Sequence, residues 1–185
     1  MPPETPERVL EAGIAALGLR LDADQIARLW AYLDLLERWN RAYNLTAISA
    51  RADMVVHHLL DSLSIAPYLE GDVFVDVGTG AGLPGIPLAI ALPHKRFTLL
   101  DSNAKKTRFL LQVRTALALA NAREEQARAR DHRPASGYDG VISRAFAALP
   151  AMLADCGHLL KPGGRFYAMK GRYPAAELRQ VAKPY

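Results

Sequence analysis

The sequence predicts an α/β fold: a mostly parallel sheet beginning at Val73, covered by an N-terminal helical layer. Three observations carry this. From Val73 to Met169, β-favouring runs alternate with helix-like segments, the pattern of a parallel sheet with crossover helices. The first run, Val73-Phe74-Val75-Asp76-Val77, is apolar but for Asp76, as suits a strand buried on both faces, and it leads into Gly78-Thr79-Gly80-Ala81-Gly82. The next run ends in Asp101, 25 residues after Asp76. Strand, glycine turn and helix start place a nucleotide-like ligand at the sheet's carboxyl edge, and an acid about 20 residues on is placed to take ribose hydroxyls.

The elements follow in order. Thr5-Pro6 starts a helix whose apolar stripe is Val9, Leu10, Ile14 and Leu17, and Gly18 ends it. Asp22 with Gln25 has the form of a capping box. Ile26, Leu29, Trp30, Leu33 and Leu36 then mark an amphipathic helix over 23–41. A further helix runs from Ala52 to Tyr68, with a break expected near Asp61-Ser62. After the first strand, Leu83 to Leu92 is helical, with Pro84 in its first turn, where a missing N–H costs little. Arg96–Asp101 is the second strand. The helix from Lys105 to Leu119 faces Phe109, Leu110, Val113 and Leu117 inward. Residues 122–127 are a weak third strand, because Glu124, Glu125 and Gln126 favour strands poorly. A polar loop over 128–137 precedes a strand at Tyr138–Ile142. A helix at Leu149–Leu160, a turn at 161–164, a fifth strand at Arg165–Met169 and a helix at Ala175–Val181 complete the chain. All 185 residues are expected to form a single domain, 1–70 as a helical extension and 71–185 as the cofactor-binding core.

Composition narrows the function classes. The single cysteine, Cys156, excludes an intrachain disulfide framework and a multi-cysteine metal site, and is expected in the core. The segment Met1–Glu4 has no basic-then-apolar leader, and no apolar run is long enough to span a bilayer. A cytoplasmic monomer without membrane or metal is expected. The net charge of +4 conceals an asymmetry: residues 1–70 carry six arginines against ten acids, and residues 71–185 carry seventeen basic residues against nine acids. A basic core half favours a polyanionic partner, although a solvated basic surface accounts for the charge equally well.

The glycine spacing selects among nucleotides. A dinucleotide fingerprint needs G-x-G-x-x-G, and Leu83 stands where its third glycine belongs; no P-loop G-K-[ST] is present. Asp76-x-Gly78-x-Gly80-x-Gly82 instead resembles motif I of S-adenosylmethionine-dependent methyltransferases, and the resemblance suggests that Asp76 helps hold the cofactor's amino-acid end. Asp101 has a competing role as the cap of a helix beginning near Asn103.

Further motifs extend the resemblance. Trp39-Asn40, Asn44-Leu45-Thr46, His58-Leu59-Leu60-Asp61-Ser62, Val75 through Pro87 with its Leu83-Pro84-Gly85-Ile86-Pro87, Leu99-Leu100-Asp101-Ser102, Lys105 through Leu110, Ser143-Arg144-Ala145 and Lys170-Gly171 occur in this order and spacing. Over about residues 28–172 the chain resembles the bacterial RsmG (GidB) guanine-N7 methyltransferases of 16S ribosomal RNA. The resemblance implies a Rossmann-like class I S-adenosylmethionine-dependent methyltransferase fold. It also implies cofactor contacts at Gly78, Leu83, Ala129, Arg130 and Arg144, joined by Gly80 and Asp101 from the wider fold. Arg130 stands where the family usually has an acid, so contact there is expected through backbone. Family members continue beyond the position of Tyr185 with a β-hairpin at the sheet edge. The sequence is therefore expected to be a fragment or a shortened variant, with the fifth strand or its neighbour uncovered.

Methylation of guanine N7 uses an in-plane lone pair with no proton to lose, so no catalytic acid or base is assigned. The groove displaying N7 is deep and narrow in duplex RNA, so the target must be unpaired or extruded. Catalysis is then chiefly positioning. Asn44, Asp61 and Arg144 are candidates for gripping the base or its backbone, with helix or turn capping the competing role of the first two. Lys105, Lys106 and Arg108 are expected to contact RNA, with Arg123, Arg128, Arg130 and Arg133 nearby in sequence. His58 is expected to be structural. Two other functions remain open: a cofactor- or RNA-binding module without catalysis, and a nucleotide-dependent oxidoreductase, which the missing fingerprint glycine disfavours.

Overall fold

A computed structural model describes residues 5–144 and 147–181. The leader reading over Met1–Glu4 and the Ala145 of the Ser143-Arg144-Ala145 motif lie outside the described residues.

Local chemistry sets the N-terminal layer. Helix α1 (Pro6–Ala16) is capped by Thr5, whose hydroxyl accepts from the Arg8 N–H. Helix α2 (Ala23–Tyr43) opens with the expected reciprocal box: Asp22 accepts from the Gln25 N–H at 2.8 Å, and Gln25 accepts from the Asp22 N–H at 2.9 Å. The Gln25 amide also donates to the Ile90 and Ala91 carbonyls, so one side chain caps α2 and docks it on the core. The helix expected over 52–68 is not interrupted at Asp61-Ser62. It starts as α3 (Arg51–Met54), widens into a π-helical segment at Val55–Leu60, and resumes as α4 (Asp61–Leu63), with a 3-10 turn at Ala66–Tyr68.

The strands are β1 (Val73–Val77), β2 (Arg96–Asp101), β3 (Ala122–Gln126), β4 (Tyr138–Arg144) and β5 (Leu160–Met169). All neighbours pair in parallel, in the order β3-β2-β1-β4-β5. The weak candidate β3 is a strand because it pairs with β2 along its length; as an edge strand it leaves its glutamates half in solvent, where Glu124 pairs with Arg114. The other edge is β5, which starts five residues before the expected Arg165. The Lys161–Gly164 turn is absorbed as a register shift opposite Tyr138 and Gly140.

Alternation along β1 divides the core. Phe74 points to the side of the N-terminal layer and stacks on Phe97 of β2 with ring centroids 5.5 Å apart. That side also receives α5 (Gly85–Ala91) and α6 (Ala104–Ala116), with Phe109, Leu110, Val113 and Leu117 buried as expected. Leu29, Leu33 and Leu36 of α2 join the same apolar cluster, and this is how the acidic N-terminal helices find cover. Val75 and Val77 point the other way, toward α7 (Leu149–Cys156) and the 3-10 turn Gly157–Leu159, which replaces the last turn of the helix expected to Leu160. Cys156 is buried there, and burial pushes its thiol up to about 11. The last helix, α8 (Ala175–Leu178), is shorter than expected. Among the described residues no helix is long and apolar enough to cross a membrane.

Candidate functional site

The glycine turn is built around Asp76. Strand periodicity sends this side chain to the same side as Phe74, under the loop, where it is fully buried. Its Oδ2 accepts from the Thr79 hydroxyl at 2.6 Å and from the Gly85 N–H at 2.8 Å. Burial pushes its carboxyl up to about 6, against the pull of those two hydrogen bonds. Asp76 therefore braces the loop from beneath and does not line the ligand cleft above it, contrary to the reading that it holds the cofactor's amino-acid end. A Cβ on Gly85 would overlap the Leu99 side chain and the Asp76 carboxylate, so glycine there is a packing requirement.

Above the loop the opposite holds. Gly80 has φ +61°, and a Cβ there would meet nothing nearer than the Gly78 carbonyl at 3.9 Å and the Lys106 Nζ at 4.0 Å. The loop thus offers bare backbone to an open space. Beside it, across Lys106, opens a cleft of about 530 Å³, within the usual range for small-ligand sites. Gly78, Asp101, Lys106, Ala129 and Arg130 line it. Four sequence-predicted cofactor residues, drawn from the ends of β1 and β2 and the turn after β3, thus converge on one opening. Asp101 is 6% exposed; its Oδ2 accepts from the Gly80 N–H at 3.0 Å and its Oδ1 from the Asn103 N–H at 2.9 Å. The cap of α6 is Asn103, which accepts from the Lys105 N–H, so Asp101 is not the helix cap.

Lys106 departs from its expected place. Its Nζ lies 3.4 Å from Asp101 Oδ2, which puts it in the cleft with the cofactor residues and away from Lys105 and Arg108, both exposed on α6. Leu83 also departs: its side chain is buried in the core, and its N–H donates to the Thr79 carbonyl. Arg130 is exposed and its carbonyl accepts from Arg133.

A second opening, of about 660 Å³, lies at the carboxyl ends of β4 and β5 under the π-helical segment, lined by His57, Asp61, Arg144 and Lys170 among others. Arg144, expected among the cofactor residues, lines this opening, where its Nη1 donates to the His57 carbonyl at 2.8 Å and to Asp61 Oδ2 at 2.9 Å. The openings are neighbours. Asp76 stands opposite Ile142 in the sheet, so Gly78 and Arg144 each lie two residues beyond the same rung of β1 and β4. This crevice between strands whose connections run to opposite sides is where open α/β sheets bind ligands. A basic groove of about 330 Å³ with Arg96, Arg123 and Lys161 lies at the wrong end of the sheet for that role.

Asn44 does not join either opening. It is exposed, terminates α2 in the left-handed region (φ 50°), and donates its N–H to the Asn40 carbonyl, which is the capping role. His58 is buried, its Nε2 lies 2.9 Å from the Thr46 hydroxyl, and burial holds its pKa down. Tyr32 escaped sequence reasoning: its hydroxyl reaches the glycine loop from α2. The available signal was a tyrosine on an apolar helical stripe, whose O–H needs a partner when buried. Among the described residues no cluster of His, Cys, Asp or Glu suits a metal ion.

The family model described as GidB, rRNA small subunit methyltransferase G, matches residues 25–185. The chain belongs to that family. It is 52% identical over 178 residues to the ribosomal RNA small subunit methyltransferase G of Saccharophagus degradans, covering 96% of this chain and 80% of that protein. With its counterpart from Alkalilimnicola ehrlichii the identity is 55% over 174 residues, covering 94% and 79%. Solved structures share the fold at low identity. Coclaurine N-methyltransferase bound to N-methylheliamine and SAH aligns with TM-score 0.54 at 17% identity, over 66% of this chain and 37% of that one. An SAM-dependent O-methyltransferase from Thermotoga maritima aligns with TM-score 0.53 at 20% identity, over 65% and 49%. The fold is the Rossmann-like class I methyltransferase fold expected from the sequence.

Proposed function

We propose that this protein transfers a methyl group from S-adenosylmethionine to N7 of a guanine in 16S ribosomal RNA. The observation that carries the reading is the convergence of Gly78, Asp101, Ala129 and Arg130 on one cleft beside the bare backbone of Gly80. Family membership and the names of the curated relatives support the RNA substrate.

The residues present fit the cofactor. Asp101 offers a shielded carboxylate for the ribose hydroxyls, with the Lys106 ammonium 3.4 Å from it, and the backbone around Gly78, Gly80 and Ala129 allows close approach. When bound, S-adenosylmethionine supplies an electrophilic methyl group on a sulfonium sulfur. The chain's task is placement: the second opening, with Arg144 and Asp61, would hold the extruded base beside the cofactor cleft, and no side chain need remove a proton from N7. A near-attack separation of about 3 Å is the geometric requirement. Lys105 and Arg108, exposed on α6, are suited to the phosphate backbone. Helical layer and core act as one methyltransferase domain, a reading supported by the apolar cluster they share. We read the protein as a cytoplasmic monomer.

The test is transfer of labelled methyl from S-adenosylmethionine to unmethylated small-subunit RNA, with the product nucleoside identified as 7-methylguanosine. Binding of cofactor without transfer would favour the non-catalytic module, and preference for NADH would restore the oxidoreductase.

A further inference from the structure

The pairing of Asp61 with Arg144 has a chemical signature of its own. In the second opening a carboxylate and a guanidinium stand side by side at 2.9 Å, and both reach the opening. Asp61 is 48% exposed in its side chain, and Arg144 contacts it through Oδ2 and not through Oδ1. Arg144 is 20% exposed and is held by the His57 carbonyl, within a π-helical segment, at 2.8 Å. Wide π turns that interrupt α-helices are frequent at functional sites. Here the turn serves to aim a main-chain carbonyl at a side chain from β4.

An acceptor of double capacity next to a planar donor complements one nucleobase edge above the others. The Watson–Crick edge of guanine runs from an acceptor, O6, to two donors, N1–H and the N2 amine. Adenine presents a donor at N6 and an acceptor at N1, so it would set donor against donor and acceptor against acceptor. Uracil and hypoxanthine offer the O–C–N–H part but lack the amine. We propose that Asp61 and Arg144 read the Watson–Crick edge of the target guanine. The Asp61 carboxylate accepts from N1–H and from the N2 amine, and the guanidinium donates to O6. Gripping that edge leaves N7 without a donor on its lone pair, as methylation at N7 demands. The pair is thus a specificity element, and the ion pair seen without RNA keeps both groups oriented for the base. This inference rests on the proposed function, since it takes the second opening to be the base site.

The test is equilibrium binding of the full chain, with S-adenosylhomocysteine in excess, to cytidine-rich oligoribonucleotides carrying one central guanosine, inosine or adenosine. Cytosine, like adenine, sets a donor beside an acceptor and does not compete for the pair. Fluorescence anisotropy gives the affinities. The wild-type chain should prefer guanosine to adenosine by about tenfold or more, with inosine between them because it lacks only the amine. Asp61→Asn should bring guanosine and inosine to within about twofold while retaining S-adenosylhomocysteine affinity. Equal wild-type affinity for guanosine and inosine would overturn the proposal without needing any variant. So would an Asp61→Asn chain that binds cofactor and keeps its guanosine preference; methyl transfer to RNA by the wild-type chain would then leave the proposed function standing. Absence of both guanosine preference and methyl transfer in the wild-type chain would remove the proposed function and this inference together.

Discussion

The Tyr32 hydroxyl donates to the Ala81 carbonyl at 2.8 Å, with the Tyr32 ring fully buried. Through this bond α2 holds the middle of the glycine loop, 49 residues away in sequence. Burial raises the Tyr32 pKa far above its ordinary value, so the hydroxyl stays a donor throughout the working range. Tyr32→Phe keeps the packing and strands a buried carbonyl. The expected loss is about 1–3 kcal/mol in urea unfolding, with a weaker cofactor affinity by calorimetry. Unchanged values of both would show that the loop needs no help from the helical layer.

Asp101 and Lys106 separate two uses of the cleft. Asp101→Ala removes the acceptor proposed for the ribose and should weaken S-adenosylmethionine binding by about 1–3 kcal/mol. Lys106→Ala should alter cofactor affinity and leave the salt dependence of RNA binding unchanged, because its ammonium lies over Asp101. A fall in melting temperature alone for Asp101→Ala would reduce that residue to a loop anchor for Gly80 and Asn103.

Lys105 and Arg108 are the cations of α6 left for RNA. Each phosphate contact on a single strand contributes about 0.7 to the slope of log affinity against log salt. Neutralising both to glutamine should therefore flatten the slope by roughly 1 to 1.5, with calorimetric cofactor affinity intact. An unchanged slope would move RNA docking to the N-terminal layer.

Gly85→Ala should be among the costliest single methyl additions in this chain. The new Cβ would press on Leu99 and on the Asp76 carboxylate that braces the loop. Overpacking of this kind costs about 1–3 kcal/mol, measurable by urea unfolding. A stability equal to the parent would mean that the strand and loop relax freely.

Asp139 sets an acid limit. Its Oδ1 accepts from Lys161 at 2.9 Å, and its Oδ2 accepts from the Asp72 and Val73 N–H groups, pinning the start of β1 beside β4. The Lys161 hydrogen bond, with those two N–H groups, holds its carboxyl down to about 2 from an ordinary 3.8. A depressed carboxylate stabilises the fold fully above its unfolded value and loses that contribution as pH falls through the folded one. Asp139→Asn should cost about 1–2 kcal/mol at pH 7, discounted for partial exposure, with the difference shrinking progressively between about pH 5 and about pH 1. A difference independent of pH would assign the loss to packing.

The sequence by itself determined the sheet's central strand, the glycine turn, the caps at Thr5 and Asp22, and the family. These rest on local rules: apolar runs, φ preferences and side chains that bond three residues away. Its resemblance to the family also marked Gly78, Ala129 and Arg130, and the interval after the glycine turn marked Asp101. Only the tertiary structure decided what those residues face. Asp76 and Asp101 are both acids of strands beside the glycine loop; one is beneath it and the other above. The pleat sends both to the same face, since Asp76 stands opposite Leu99 and Asp101 lies two residues beyond it. The difference comes from Asp101 standing past the last rung, Val77–Leu100, and from where α5 lands, neither of which a spacing encodes. Lys106 passed from the RNA set to the cleft because one turn of α6 carries its ammonium back over Asp101. Arg144 found Asp61 across 83 residues through a π-helical segment whose hydrogen bonds no periodicity announces. β3 became a strand against its own propensities because its neighbour's unpaired backbone groups required a partner.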